Sequence, residues 1–213
     1  MVPPVIHERF DLLSRRVREL TMVSLGDVLI PMQKMALDLA REQSKKVSDL
    51  EIVGGDILVD GALLQKIKDI LLHALRNAVD HGLEPAADRT AANKPEEGKI
   101  TVHCRQQDGE LHVSVEDDGR GINTDRVKAK AFQLNLVTEE QLDQVPDQAL
   151  FEFIFRPGFS TAEKVTEVSG RGVGMDVIRS RAQELQGTAQ VSSRRGQGTT
   201  LTLKFPVDQY QRL

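Results

Sequence analysis

The apolar residues of this chain follow two kinds of spacing. In some segments they recur every three or four positions, which is typical of amphipathic helices. The segments with this spacing are residues 5–20, 27–47, 62–82, 124–134, 138–155 with a break near Pro146, and 175–185. In other segments apolar and polar residues alternate, or short apolar runs stand beside glycine, which predicts strands. These segments are residues 50–53, 57–59, 99–106, 110–116, 188–193 and 198–205.

The order of these segments predicts the fold class. Turns at residues 107–109 and 196–198 join consecutive strands, so we expect two hairpins. Helices that are segregated from hairpin-connected strands indicate an α+β fold. We therefore predict a two-layer sandwich, in which helices cover one face of a mixed or antiparallel sheet.

The predicted helix at residues 62–82 has an unusual polar face. Opposite its apolar stripe it carries His73, Arg76, Asn77, Asp80 and His81. Imidazole, guanidinium, carboxamide and carboxylate groups are those that hold metal ions, phosphates and transferable protons. An asparagine beside phosphate suits Mg²⁺, because this ion keeps most of its waters and needs few protein oxygens. A solvated face of chance composition is the alternative.

Two glycine-rich segments supply further candidate binding groups. Asp117 ends a strand and precedes Gly119 and Gly121, where glycine permits close approach of a flat ligand and the carboxylate can accept a hydrogen bond from an amine. Taken alone, this motif is equally well explained as an ordinary connection from a strand to a loop, with no ligand. Residues 170–175 place three glycines at the start of a helix, which favours a phosphate site over a flexible turn.

The composition narrows the class of protein further. With 213 residues, 39% of them hydrophobic, the chain suffices for one large domain or for a domain with a helical extension. Its net charge of −4 argues against nucleic acid or an anionic membrane as the main partner. The single Cys104 excludes an internal disulfide, and its strand-like surroundings favour packing over reactivity. No apolar run reaches the length of a membrane span and no signal peptide opens the chain, so we expect a soluble, cytoplasmic protein.

Four motifs together resemble those of the GHKL ATPase superfamily, and within it the catalytic ATP-binding domain of chemotaxis-type (CheA-class) sensor histidine kinases. Residues 73–82 resemble the N box of that class, residues 115–122 its first glycine box, residues 155–161 with 168–176 its lid and second glycine box, and residues 196–199 its last. The resemblance covers residues 21–207 and implies a Bergerat-type ATP-binding fold with a mobile ATP lid. Residues 1–20 would be a local cap or the tail of a dimerisation or linker helix, and residues 208–213 a C-terminal tail.

The resemblance also implies roles for individual residues. Asn77 would ligate Mg²⁺ and Asp117 would bind the amine of adenine. His73 stands where hydrolysing relatives carry glutamate, and with Arg76 and His81 it would form the catalytic set beside the triphosphate. The other nucleotide-binding residues that it implies are Asp80, Gly119, Gly121, Ser160, Thr161, Gly170, Arg171, Gly172, Gly174, Met175 and Thr199.

The implied function is transfer of the γ-phosphoryl group of Mg-ATP to a histidine of a separate phosphoacceptor domain, in trans. A response regulator would be the downstream partner, and receptor or coupling proteins would act through other domains. Two alternatives stay open: a non-catalytic, ATP-gated module that regulates a partner, and another GHKL enzyme such as a serine kinase acting as an anti-sigma factor. A glutamate at position 73 would favour hydrolysis, whereas the ending Asp80-His81-Gly82 favours the chemotaxis class.

Overall fold

The structure is a computed structural model that describes residues 9, 13, 16, 20–142, 144–159 and 174–207. Helices pack on one face of a five-stranded sheet, so the predicted α+β class is confirmed. In chain order the elements are β1 (Met22–Ser24), α1 (Leu25–Glu42), β2 (Glu51–Val53), β3 (Leu58–Asp60), α2 (Gly61–Asn77), a π-turn (Ala78–Gly82), α3 (Ala86–Ala91), β4 (Ile100–Gln107), β5 (Glu110–Asp117), α4 (Thr124–Gln133), α5 (Glu139–Leu142), α6 (Asp147–Phe153), α7 (Met175–Glu184), β6 (Thr188–Arg194) and β7 (Gly198–Pro206).

The large sheet is mixed, with strand order β2-β4-β5-β7-β6. Strand β2 runs parallel to β4, whereas β4, β5, β7 and β6 pair antiparallel. Both predicted hairpins are present: Gln107 pairs with Glu110, and Arg194 pairs with Gly198. This topology places the end of β5 beside the start of β7, where Asp117 pairs with Thr199.

Side chains that alternate along the strands build the core. In β5, Leu111, Val113 and Val115 are buried, while the residues between them face the opposite side of the sheet. They pack with the apolar stripes of α1 and α2, in which Leu29 and Leu71 are completely buried. Burial of this apolar surface is the main source of stability and fixes α2 against the sheet.

Cys104 lies in β4 and is only 6% exposed. Its burial raises the pKa of the thiol to about 11, so the reactive thiolate is scarce at neutral pH. The prediction that this cysteine packs rather than reacts agrees with both observations.

Helix α1 differs from its predicted bounds of 27–47. It begins at Leu25 because the hydroxyl of Ser24 accepts a hydrogen bond from the backbone N–H of Gly26 at 3.2 Å. It ends at Glu42, and Ser44 then takes a left-handed conformation with φ of 56°. Pro31 lies in the second turn of this helix. Strand β1, which runs directly into α1, was not predicted.

The N-terminal helix predicted at residues 5–20 lies mostly outside the described residues. Residues 9, 13, 16 and 20 are helical, and the chain divisions at residues 20 and 207 stay predictions. Within the described ranges, no helix combines the length and the apolar character needed to cross a bilayer.

Candidate functional site

The polar face singled out in the sequence lies at the C-terminal end of α2. The helix starts where the carboxylate of Asp60 accepts hydrogen bonds from the N–H groups of Ala62 and Leu63 at 2.9 and 3.1 Å. It changes at Ala78 into a π-turn, which closes when the N–H of Leu83 donates to the carbonyl of Ala78 at 2.9 Å. Single π-turns inside helices are rare and are frequent at functional sites.

The π-turn changes where the last two residues of the predicted face point. His73, Arg76 and Asn77 belong to the α-helix, but Asp80 and His81 lie in the wider turn. A π-turn inserts one residue per turn, so a helical wheel drawn from the sequence misplaces these two residues. Arg76 and His81 are exposed, while the other three residues are partly buried.

Asn77 joins this helix end to a second motif. Its side-chain nitrogen donates to the sulfur of Met175 at 3.4 Å, across 98 residues of sequence. Met175 opens helix α7, whose N-cap residue Gly174 supplies no side-chain hydrogen bond. Glycine has no side chain with which to cap the first N–H groups of α7. The positive end of the helix dipole of α7 lies beside Asn77.

The donor set at Asn77 fits the predicted Mg²⁺. The contact with Met175 uses the amide nitrogen, and within the described ranges the amide oxygen forms no hydrogen bond to protein. No three His, Cys, Asp or Glu side chains converge on a possible metal position in that part of the chain. A Mg²⁺ ion here would take one oxygen from Asn77 and its other ligands from phosphates and water, as this ion commonly does.

Asp117 forms the other end of the site. It is the last residue of β5 and is only 6% exposed. Its carboxyl accepts a backbone hydrogen bond from Gly119 at 2.9 Å and another from Thr199. Burial is the main reason why its pKa is raised to about 7. The two hydrogen bonds oppose this rise, and the nearby carboxylates of Asp118 and Glu84 add to it. A buried carboxyl of this kind gains from a ligand that donates a hydrogen bond.

Two glycines are required because the motifs touch each other. A Cβ atom at Gly82 would lie 2.7 Å from Cγ of Asp117, and one at Gly119 would lie 2.1 Å from the carbonyl oxygen of Gly82. The N–H of Arg120 also donates to the carbonyl of Gly82 at 2.9 Å. The end of the π-turn and the loop after β5 therefore form one packed unit. Gly121, which has a φ of 66°, lies in the same loop.

Ser193 is a contributor that the sequence analysis missed. Its hydroxyl accepts a hydrogen bond from the N–H of Ile122 at 2.8 Å and donates to the carbonyl of Gly198 at 2.8 Å. It also lies 3.1 Å from the hydroxyl of Thr199, one of the predicted adenine-binding residues. A serine in an alternating strand gives no signal by which this role could be found.

A buried ionic cluster behind the loop was also missed. Arg89 is completely buried and donates to both carboxylate oxygens of Asp118, at 3.0 and 2.8 Å, and to Glu84 at 3.2 Å. Lys94 donates to Glu84 at 2.8 Å and to the carbonyl of Gly119 at 2.6 Å. These contacts tie the loop that follows Asp117 to Glu84, just after the π-turn. Their segment reads in sequence as an ordinary charged loop.

His73 lies one turn before Asn77, on the same helix. Partial burial lowers its pKa below the usual 6.5, and the positive charges of Arg181 and Arg76 act in the same direction, against Asp69. Arg181 of α7 itself pairs with Asp69 at 3.4 Å. These effects favour the neutral imidazole of His73 at pH 7.

The structure brings together predicted site residues from three separate motifs: Asn77 with Gly174 and Met175, and Gly82 with Asp117 and Gly119, with Thr199 on the neighbouring strand. Arg76 and His81 lie at the same helix end. Ser160, Thr161, Gly170, Arg171 and Gly172, and with them the predicted lid, lie outside the described residues.

A match to a family of known proteins agrees with this arrangement. Residues 63–209 match the family described as histidine kinase-, DNA gyrase B- and HSP90-like ATPases. The match contains the end of α2, Asp117, both glycine segments and Thr199. The chain belongs to this family of ATP-binding domains, as the sequence predicted.

Individual relatives show which members of this family the chain resembles. The chain is 40% identical over 201 residues to the gliding motility regulatory protein of Myxococcus xanthus, covering 94% of this chain and 26% of that protein. It is 40% identical over 195 residues to the chemotaxis protein CheA of Halobacterium salinarum, covering 92% and 29%. To the sensor histidine kinase CheAY of Helicobacter pylori it is 37% identical over 195 residues, covering 92% and 24%. The chain thus spans only about a quarter to a third of the length of these relatives and is a CheA-like histidine kinase ATPase domain.

Solved structures resemble this one in fold. The catalytic domain of the histidine kinase ThkA matches with a TM-score of 0.56 and 20% identity, over 90% of this chain and 98% of that chain. The histidine kinase domain of a blue-light-activated kinase from Erythrobacter litoralis matches with a TM-score of 0.54 and 17% identity, over 89% and 64%. At these identities the likeness establishes the fold alone, and it confirms the predicted ATP-binding fold of histidine kinases.

Proposed function

We propose that this chain binds Mg-ATP and transfers the γ-phosphoryl group to a histidine of a separate phosphoacceptor domain. One observation carries the proposal: a single helix end contacts both Met175, the first residue of α7, and Asp117, the carboxyl at the end of β5. This gives a site with a hydrogen-bond acceptor at one end and an amide oxygen beside a helix N-terminus at the other. Adenine and a magnesium-bound triphosphate need these two kinds of group.

The adenine end is built around Asp117. Its carboxyl would accept a hydrogen bond from the exocyclic amine of adenine, which would offset the cost of burying it. Thr199 of β7 pairs with Asp117, and the hydroxyl of Ser193 holds the hydroxyl of Thr199 in place. We assign the placement of the purine ring to this group and to the loop of Gly119 and Gly121.

The phosphate end is built around Asn77. The amide oxygen would hold Mg²⁺, which neutralises phosphate charge when bound. Arg76 and His81 would stabilise the charge that spreads over the transferring group, and Gly174 and Met175 would offer the N-terminus of α7. By resemblance we also assign Ser160, Thr161, Gly170, Arg171 and Gly172 to this end. Asp80 belongs to the same turn.

The transfer itself asks little covalent chemistry of the protein. A ring nitrogen of the acceptor histidine attacks the γ-phosphorus, the bond from that phosphorus to the bridging oxygen breaks, and ADP leaves. The acceptor ring then loses its other N–H proton. The neutral imidazole of His73 is favoured at pH 7 and lies one turn from Asn77, so we assign it the role of receiving this proton.

The partners follow from the same proposal. The acceptor domain would be supplied in trans, and a response regulator would take the phosphoryl group from it. Receptor or coupling proteins would act through other domains. We propose the cytoplasm as the location of this chemistry. Residues 21–207 would form the catalytic domain.

The test has two steps. First, the thermal midpoint is followed against Mg-ATP for the wild type, Asn77→Ala and Asp117→Ala. A ligand of the native state raises the midpoint by mass action, so we expect a rise that both substitutions abolish. Second, transfer from labelled ATP to an isolated histidine phosphoacceptor domain is measured. No rise in the wild type would reject ATP binding, and a rise without transfer would favour the non-catalytic, ATP-gated module.

A further inference from the structure

The loop after α1 holds the π-turn by two side chains. The ammonium group of Lys45 donates to the carbonyl oxygens of Val79 and Asp80, at 2.5 and 2.9 Å. The amide nitrogen of Gln43 donates to a carboxylate oxygen of Asp80 at 2.5 Å. Lys45 is only 9% exposed, so both of its contacts are made away from solvent.

The backbone at this point needs such a partner. The last carbonyls of a helix have no N–H group to accept from, and they carry the negative end of the helix dipole. An ammonium group offers three donors and a positive charge, so it satisfies two such carbonyls at once. The left-handed Ser44 and a hydrogen bond from the N–H of Lys45 to the carbonyl of Ala40, at 2.9 Å, direct the lysine toward them.

The neighbouring lysine shows that this contact is specific. Lys46 has the same charge and the same side chain, but it is half exposed and pairs with the equally exposed Glu96. Of the two lysines, Lys45 contacts the π-turn and Lys46 does not. Substitution of one lysine or the other therefore separates the contact from the charge.

We propose that Lys45 and Gln43 are positioning residues for the phosphate end of the site, acting through Asp80 and the carbonyls of the π-turn. They fix the turn so that Asn77, just before it, and His81, within it, hold their places relative to Mg²⁺ and the triphosphate. Asp80 accordingly anchors the turn rather than binding nucleotide. This inference rests on the function proposed above.

The adenine end has contacts of its own in addition to its contact with Gly82 of the π-turn, which makes the inference testable. Gly119, Thr199 and the buried cluster around Arg89 fix the adenine end without Lys45. Loss of the lysine contact should therefore weaken binding of the triphosphate more than binding of adenosine. A residue that supported only the overall fold would weaken both ligands equally.

The experiment compares Lys45→Met with Lys46→Met, which removes the same charge from an exposed neighbour. NMR titration measures the dissociation constants of Mg-ATP and of adenosine for each protein. Because the lost hydrogen bonds involve a charged group, we expect Lys45→Met to weaken Mg-ATP roughly tenfold or more, with adenosine changed less than about twofold. Lys46→Met should leave both constants unchanged.

A second readout does not depend on any ligand. The N–H of Leu83 closes the π-turn, so its hydrogen exchange in the free protein reports whether the turn opens. We expect exchange at Leu83 to accelerate roughly tenfold in Lys45→Met and to stay unchanged in Lys46→Met. If Lys45→Met does not fold, Gln43→Leu removes one contact of the turn instead. This variant should show smaller changes in the same direction, in both Mg-ATP affinity and hydrogen exchange at Leu83.

The outcomes are distinct. Equal loss of Mg-ATP and adenosine, or unchanged binding of Mg-ATP in Lys45→Met, would overturn the positioning role while the wild type still binds ATP. Failure of the wild type itself to bind Mg-ATP would instead reject the proposed function.

Discussion

The carboxyl carbon of Asp117 lies so close to the α-carbon of Gly82 that a methyl group on this glycine would be 2.7 Å from it. These two residues come from different motifs, one at the end of the π-turn and one at the end of β5. Their contact makes the two motifs a single rigid unit. The glycine of the first motif is thus explained by the carboxyl of the second.

The contact predicts the effect of Gly82→Ala. The added methyl group must displace Asp117, so we expect a loss of about 1–3 kcal/mol in the free energy of unfolding and a clear loss of ATP affinity. Gly61→Ala is the control at the start of the same helix: its Cβ would lie 3.1 Å from the backbone oxygen of Thr21, a tight contact but without the 2.7 Å overlap at Gly82. Urea unfolding and nucleotide titration measure both effects. Equal behaviour of the two variants would show that the close contact is not needed.

The raised pKa of Asp117 predicts how stability changes with pH. Burial, with Asp118 and Glu84 nearby, raises this pKa from 3.8 to about 7 in the folded protein, so the folded state favours the protonated carboxyl. The stability that this provides is complete below about pH 4 and is lost as the pH rises through 7. The amide in Asp117→Asn does not titrate, so the free energy of unfolding of this variant does not fall for this reason as the pH rises. The wild type should therefore lose stability relative to Asp117→Asn between pH 4 and 7, on the order of a few kcal/mol.

Urea unfolding of both proteins at several pH values tests this prediction. Other titrating groups are common to the two proteins and cancel in the difference. Parallel stability curves would mean that Asp117 has an ordinary pKa. The same substitution should abolish the ATP-dependent rise in thermal midpoint, because the acceptor for the adenine amine is altered.

The buried cluster predicts a large effect of Arg89→Met. The substitution removes the bidentate hydrogen bonds from Arg89 to Asp118 and leaves Glu84 paired with Lys94 alone. Removing one member of a buried ion pair costs about 3–5 kcal/mol, and we expect a loss near the lower end of this range because Asp118 is 39% exposed and Glu84 keeps Lys94. Arg195→Met is the matched control: its pair with Asp125 is mostly exposed, so about 0–1 kcal/mol is expected. Similar losses in the two variants would contradict a special role for the cluster.

Much of the fold was predictable because its elements are long and periodic. Strands β4, β5, β6 and β7 and helices α4 and α7 begin and end within a residue or two of their predicted bounds. Leu111, Val113 and Val115 show why: strict alternation places one face of β5 in the core and leaves no other register. The resemblance implied only that Asn77 and Met175 belong to one site. Their direct contact could not be predicted, since no local pattern links residues 98 positions apart.

Other features could not be found from the sequence, because they depend on contacts between distant segments. The apolar stripe of α2 continues through Val79, so nothing in it marks the change to a π-turn at Ala78. Lys45 and Lys46 are adjacent and identical, yet one is buried against the turn and the other is half exposed. Arg89 lies in a charged segment that reads as solvated, and only the fold places it in the interior.

The position of His73 predicts a change in the rate of transfer without a change in binding. In His73→Gln the ring that would receive the proton is gone, while Asn77, Met175 and Asp117 keep their contacts. We expect transfer at saturating Mg-ATP to fall by a factor of about 100 or more, the usual size of a general-base contribution, with the dissociation constant of Mg-ATP nearly unchanged. His103→Gln removes an exposed imidazole from the outer face of the sheet and should leave both quantities unaltered. Full retention of transfer in His73→Gln would remove this residue from the chemistry. A loss that appeared only in the affinity for Mg-ATP would make it part of the phosphate-binding group instead.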